Sequence, residues 1–266
     1  MSRTDIIVVG GGIAGVSAAA ELAADAQVLV LEMEAQPGYH ASGRSAAYIA
    51  AAYGKKVVRD LTGCCENFLL DPPPGFTEVE LMRPRDCMFF ARPEQAASLE
   101  AMLNDYPRLE FVSAQTVRER VPVFARDYLH GAAWDRKGGD LDVDALLQAY
   151  ARLLRQRGGA LKTSCRVTGL QHGGGHWLVT TEQGEYEAPV VVNAAGGWAE
   201  QVGGMAGLGA LGIEPLRRTA LTVEPPAGVD ISHWPEMVNV DEEFYFKPDA
   251  GLIMISPADE TPTRPY

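Results

Sequence analysis

A chain of 266 residues, 47% hydrophobic and 22% charged, is long enough to bury one or two cores and too apolar to be disordered or fibrous. Its formal charge of −12 excludes the basic surface that a sequence-independent hold on nucleic acid or anionic lipid requires. No apolar run reaches the roughly 18 to 20 residues of a membrane span, and "MSRTDIIVVGGG" lacks the regions of a signal peptide, so the expected compartment is the cytoplasm.

The chain opens on "DIIVVGGGIAGVSAAAELAADAQVLVLEME": an apolar strand, a glycine turn, an alanine-rich helix and a second apolar strand ending at Glu32. That is a βαβ unit. Gly10, Gly12 and Gly15 fit G-x-G-x-x-G, where the first glycine permits the tight turn, the second lets backbone approach a pyrophosphate and the third lets helix pack on strand. The helix amino terminus then offers unpaired N–H groups and a favourable dipole to phosphates. Glu32 stands where an acid accepts hydrogen bonds from a ribose diol and disfavours a 2′-phosphate. This predicts a dinucleotide site.

Farther along, "LLDPPPGF", Leu69 to Phe76, reads as a stiff, helix-breaking connector. "DCMFFA", the helix "PEQAASLEAMLNDY" and "VSAQTVRERVP" form a unit up to about Gly139. The helix "LDVDALLQAYARLLRQRG" gathers Val143, Leu146, Leu147, Tyr150, Leu153 and Leu154 on one face. "RVTGLQHGGGHWLVTTEQGEYEAPVVVNAAGGWA" then predicts a three-stranded meander, turned at Gly173 to Gly175 and at Gln183-Gly184, whose last strand "PVVVNAAGG" runs back into the nucleotide sheet. Small residues from Ala194 to Gly197 would let backbone come close to the cofactor. "RTALTVE", "EEFYFKP" and "GLIMIS" read as strands of a substrate sheet. Cys64, Cys65, Cys87 and Cys165 have no C-x-x-C spacing, so they are read as thiols with no metal site.

A glycine turn, a meander and an apolar strand ending in Ala-Ala-Gly form the organisation of two-domain flavoproteins. The segments "VVGGGIAG", "LEMEAQPGYHASGRSAA" and "VVVNAAGGWA" resemble the D-amino acid oxidase superfamily of FAD-dependent oxidoreductases. More narrowly, "EAQPGYHASGRSAA", "AYG", "LDVDAL", "HWP" and "FYFKPDAG" resemble bacterial D-amino acid dehydrogenases of the D-arginine dehydrogenase type. The resemblance implies an α/β fold: a Rossmann-like FAD-binding domain at 1–79 and 140–213, interleaved with an α+β substrate domain at 80–139 and 214–266 on a mainly antiparallel sheet. It implies oxidative deamination of a D-amino acid, by hydride transfer from Cα to the flavin. The expected partners are that amino acid and an electron acceptor.

By resemblance, Ala41, Ser42, Gly43, Arg44, Ser45, Ala46, Ala47 and Tyr48 lie along the FAD diphosphate and ring. Ala14, Glu32 and Met33 lie at the adenosine end, Val167 near adenine, and Ala195 and Gly196 at the end of the returning strand. The residue types agree: small side chains let a flat ring pack on backbone, Ser42 and Ser45 offer donors, and Arg44 supplies positive charge for phosphates or a structural carboxylate. "HASG" also fits the pattern on which some flavin amine dehydrogenases carry the flavin covalently, whereas the nearer relatives imply His40 as a hydrogen-bonding partner of noncovalent FAD. Tyr53, Arg218 and Tyr245 are the implied catalytic residues, the tyrosines holding carboxylate or amine and the arginine pairing with a carboxylate.

Two departures bear on the substrate. A histidine of the relatives is Tyr48 here, and the acid that receives a guanidinium is Cys87. Asp86 is not expected to replace it, since adjacent strand residues face opposite ways. Glu236 stands where the relative has methionine, as a solvated loop residue or as a relocated acid. The expectation is a shift toward apolar or aromatic D-amino acids, basic ones surviving if Glu236 turns into the pocket. The relatives also continue beyond "TPTRPY", so a truncated enzyme is expected, with a noncatalytic FAD-binding remnant, or an oxidase of glycine, sarcosine or a 2-hydroxy acid, as alternatives.

Overall fold

The runs "IIVV" and "VLVL" have no polar alternate positions, which suits strands covered on both faces. A computed structural model, describing residues 2–266, places them side by side. Four parallel strands lie in the order Ala160–Lys162, Val28–Leu31, Ile6–Val9, Val190–Asn193. The alanine-rich helix Ile13–Leu22 covers one face, where Ala19 and Ala20 pack against Val8, Val28 and Val30. Behind it runs the amphipathic helix Val143–Gln156, which buries Leu147, Ala151 and Leu154. Asp142 caps that helix, its carboxylate accepting from the Ala145 N–H at 2.8 Å.

The meander Val167–Gly173, His176–Thr181, Gly184–Ala188 covers the other face, with Val167, Val179 and Tyr186 against Ile7, Val9, Leu29 and Leu31. The single last strand expected from the sequence is two. Pro189 has no N–H to continue a ladder, so the chain leaves the meander at Ala188 and enters the parallel sheet at Val190.

A second sheet of seven strands is antiparallel except at one pair. Its order is Leu221–Val223, Leu252–Ser256, Tyr245–Asp249, Glu236–Asn239, Cys87–Ala91, Gly131–Asp135, Glu110–Ser113. The parallel pair is Glu236–Asn239 with Cys87–Ala91, which joins the two excursions of the chain into one surface. Met88, Phe90, Trp134, Met237 and Phe246 fill one face, under Val117, Val121 and Trp234. Cys87, Phe89, Ala133 and Val238 occupy the other, with Tyr48 and Tyr245 packed against them. A short ribbon of Tyr48–Ala50, Gly138–Leu141 and Met82–Pro84 lies beside this face. The fold is α/β, a parallel nucleotide-type sheet joined to a mainly antiparallel one. Among the described residues no helix is long and apolar enough to cross a membrane.

The glycine turn is where backbone packing is tightest. Gly10 has φ +114°, and a Cβ there would lie 2.3 Å from the Ala194 carbonyl oxygen. A Cβ on Gly15 would lie 1.9 Å from the Gly10 carbonyl oxygen. Gly15→Ala is therefore expected to push the helix off its strand and to cost about 1 to 3 kcal/mol by overpacking. Urea denaturation reads this directly, and an unchanged midpoint would show that the contact relaxes freely.

Candidate functional site

A cleft of about 910 Å³ opens where the parallel strands end in the glycine turn and in Ala194 to Gly197, facing the seven-stranded sheet. The carboxyl ends of parallel strands are where α/β sheets bind ligands, and this volume lies in the upper part of the range for small-molecule sites. At one end stand Glu32, Met33, Cys165 and Val167; at the middle Gly10, Gly12, Ser42 and Arg44; at the far end Ala46, Ala47, Arg218, Tyr245 and Met254. His40, Ala41, Ser45, Ala195 and Gly196 complete the predicted residues that line it.

Glu32 is only 7% exposed. Its carboxylate accepts from the Gly11 N–H at 2.6 Å and the Glu34 N–H at 2.8 Å, which fixes it beside the turn with acceptor capacity to spare. The loop after the second strand is tied to the same turn. Gly38 N–H donates to the Gly11 carbonyl at 3.0 Å, and Ser42 Oγ accepts from the Ile13 N–H at 2.9 Å. Ser42 thereby satisfies one free amide at the helix start. His40 Nε2 lies 3.0 Å from the Glu34 carboxylate, and its ring packs against Trp198 with centroids 4.5 Å apart. Arg44 lies over the Tyr39 ring at 4.9 Å and has no acidic partner among the described residues, so its charge is available to the cleft.

Five predicted residues stand outside the lining. Ala14 and Gly15 lie on the helix, where Gly15 serves the close helix–strand approach. Gly43 closes the loop, its N–H donating to the Gly38 carbonyl at 2.7 Å. Tyr48, expected beside the flavin, packs against the seven-stranded sheet outside the lining, and its hydroxyl donates to the Arg85 carbonyl at 2.7 Å. Burial, then the nearby Cys87 thiol and Glu236 carboxyl, hold that phenol far above its ordinary range. Tyr53 is 38% exposed and donates to the Glu242 carboxylate at 3.0 Å. Burial and Glu242 push its phenol up to about 12; Arg218 opposes that rise and Tyr245 adds to it, so the three candidate catalytic side chains share one neighbourhood. Arg218 donates to Glu260 at 3.0 Å.

The seven-stranded sheet holds charges that the sequence did not announce. Lys247 has a side chain only 2% exposed, and it donates to Asp140 at 3.0 Å and Asp249 at 3.5 Å. Arg85 donates to the other Asp140 oxygen at 2.6 Å. The available signal was the alternation in "YFKPD", which puts Tyr245, Lys247 and Asp249 on one face. Asp86 accepts from the Trp134 indole at 2.9 Å, on the face opposite Cys87. Glu236 is a strand residue, 5% exposed, directly across from Cys87, and the solvated loop residue is overturned by the pairing of its strand with Cys87–Ala91. Burial pushes its carboxyl up to about 8, against Lys247 and Arg85, which lower it, and with Asp140, which raises it.

A glycine turn and an acid at the carboxyl ends of parallel strands form a dinucleotide-type site. The chain belongs to the DAO family of FAD dependent oxidoreductases, whose model matches residues 5–265. Rat mitochondrial dimethylglycine dehydrogenase is 29% identical over 216 residues, covering 77% of this chain and 25% of that protein. Escherichia coli (strain UMN026) L-2-hydroxyglutarate dehydrogenase is 28% identical over 225 residues, covering 77% of this chain and 50% of that one. The chain thus spans a quarter to a half of these relatives. Glycine oxidase from Geobacillus kaustophilus superposes with a TM-score of 0.81 at 20% identity, covering 98% of this chain and 72% of that one, a likeness of fold.

Two outcomes follow from this geometry. Glu32→Ala is expected to weaken FAD binding by about 1.5 to 3 kcal/mol through loss of a charge-assisted hydrogen bond, read by fluorescence titration of flavin-free protein; an unchanged dissociation constant would contradict it. Glu236, its folded pKa raised, binds a proton in the folded state at pH values where the unfolded chain has released it. Its contribution is therefore complete below the ordinary carboxylate range and is lost as pH rises toward about 8. The melting temperature of the native protein should fall relative to that of Glu236→Gln across this window, and parallel curves would contradict the shift.

Proposed function

We propose that this FAD-dependent oxidoreductase oxidises the Cα–N bond of a D-amino acid at the Tyr245 end of the cleft. The observation that carries the reading is that Arg218 and Tyr245, both close enough to Tyr53 to act on its phenol, line the same cleft as Glu32 and the glycine turn. The cleft fits FAD along its length: the Glu32 carboxylate for a ribose diol, the glycine turn and the free Arg44 charge for a diphosphate, and small side chains for a flat ring. When bound, FAD supplies the acceptor for the hydride leaving Cα.

The chain's own part is to bind and orient. Arg218 takes the substrate carboxylate. Its pair with Glu260 is no obstacle, because a partly exposed ion pair is worth at most about 1 kcal/mol and a well-placed carboxylate makes stronger charge-assisted bonds. The Tyr245 hydroxyl has no hydrogen-bond partner among the described residues, which leaves it for the substrate, while its ring shields the reacting carbon from water. The amine must be neutral to react and Cα must sit within about 3 to 3.5 Å of its acceptor. The imino acid formed is then hydrolysed by water to complete deamination.

The two similar dehydrogenases are named for dimethylglycine and L-2-hydroxyglutarate, small carboxylates with a hydrogen on the carbon bearing N or O. The 2-hydroxy acid is accordingly the second reading. Anaerobic mixing of FAD-loaded protein with D-amino acids, sarcosine, glycine and L-2-hydroxyglutarate separates them. Bleaching of visible flavin absorbance by D-amino acids is expected; bleaching by the hydroxy acid alone, or by none, would overturn the proposal. Arg218→Ala should weaken saturation by the reacting substrate by about 1.5 to 3 kcal/mol.

A further inference from the structure

The charged side chains under the substrate sheet are paired, with one exception among the described residues. Asp135 is held by Arg108 at 2.9 Å, and Asp140 by both Arg85 and Lys247. Glu236 accepts no hydrogen bond on its side chain, although it is buried. It is not walled in either. The one sealed side-chain polar atom without a partner among the described residues is Arg108 Nε, so the Glu236 oxygens, though buried, are not completely sealed.

Register fixes the face of the sheet on which Glu236 stands. Glu236 stands opposite Cys87 on one neighbouring strand, and one step beyond the Met237–Phe246 pair on the other it stands beside Lys247. Lys247 in turn stands opposite Met254. Period two along these strands puts Glu236 on the face of Tyr245 and Met254, both of which line the cleft. The groups around it are Tyr48, Cys87, Asp140, Lys247 and Arg85. None donates to it: Tyr48 donates to the Arg85 carbonyl, Lys247 to Asp140 and Asp249, and Arg85 to Asp140 and to the Ser232 and Trp234 carbonyls.

A buried acceptor without a donor is a standing cost unless a ligand brings the donor. We propose that Glu236 is the specificity-determining carboxyl of this site, receiving a terminal ammonium or guanidinium of the substrate side chain while Arg218 and Tyr245 hold the amino acid end. This rests on the amino acid reading above. Apolar side chains would leave Glu236 unsatisfied, so basic D-amino acids are the favoured class, against the apolar shift that Cys87 alone suggests.

Two carboxylic acids that lack the α-amine and are not oxidised test this without turnover. FAD-loaded protein is titrated with 5-guanidinopentanoate and with 4-methylpentanoate, following the perturbation of the flavin spectrum, in the native protein and in Glu236→Gln. The native protein should prefer the guanidino acid at least tenfold, and the ratio of the two dissociation constants should shift by tenfold or more against it in the variant. If Glu236→Gln does not load FAD, Glu236→Met is read in the same way. A ratio unchanged by either substitution, or a native preference for 4-methylpentanoate, overturns the assignment of Glu236 while leaving the amino acid reading intact. A flavin that responds to neither acid overturns both.

Discussion

The close approach of Gly10 to the Ala194 carbonyl is the contact on which the rest of the molecule depends. It presses the end of the returning strand Val190–Asn193 onto the turn that follows Ile6–Val9, two strands already paired in parallel from Ile6 to Val9. A side chain at Gly10 would separate them. With the turn held, Gly15 brings the helix against the strand, Gly11 offers its N–H to Glu32, and Gly11 and Ile13 anchor the loop that carries His40 and Arg44. The floor of the cleft is thus a backbone surface with the side chains removed from it, which is what a long planar ligand needs.

Charge is divided along this cleft. The middle carries at Arg44 a cation unpaired among the described residues and the positive end of a helix, a field that suits a diphosphate. The seven-stranded sheet and its flanking ribbon carry acids held in place by Arg85, Lys247 and Arg108, with Glu236 left over among the described residues. In a space of low polarity such groups count for more than on a surface, because water does not screen them. The exposed pairs at the rim, among them Arg218 with Glu260, are weak enough to be exchanged for a substrate group.

Much of this was legible in the amino-acid sequence, for a physical reason. The glycine turn, the alanine helix and Glu32 are local: a strand, a turn and a helix within the first thirty-odd residues specify one another through backbone sterics and period. The amphipathic helix at Val143–Gln156 and the connector after Leu70 were legible in the same way. What escaped depends on partners remote along the chain. Tyr48 follows a run of small cleft residues, yet its hydroxyl is held by the carbonyl of Arg85, far along the chain, and its ring packs against the seven-stranded sheet. Glu236 sits in a polar, proline-containing stretch that reads as loop, and only pairing with Cys87–Ala91, far away in sequence, makes it a buried strand residue. Pro189 was a local signal that outweighed the apolar run around it.

The central claim is that one continuous cleft, from Glu32 to Tyr245, holds a flavin dinucleotide by both ends. Titration of flavin-free protein with FAD and with FMN, which lacks the adenosine half, tests it most directly. The account predicts saturable binding of FAD with FMN at least a hundredfold weaker, and equal affinity for the two flavins would contradict it.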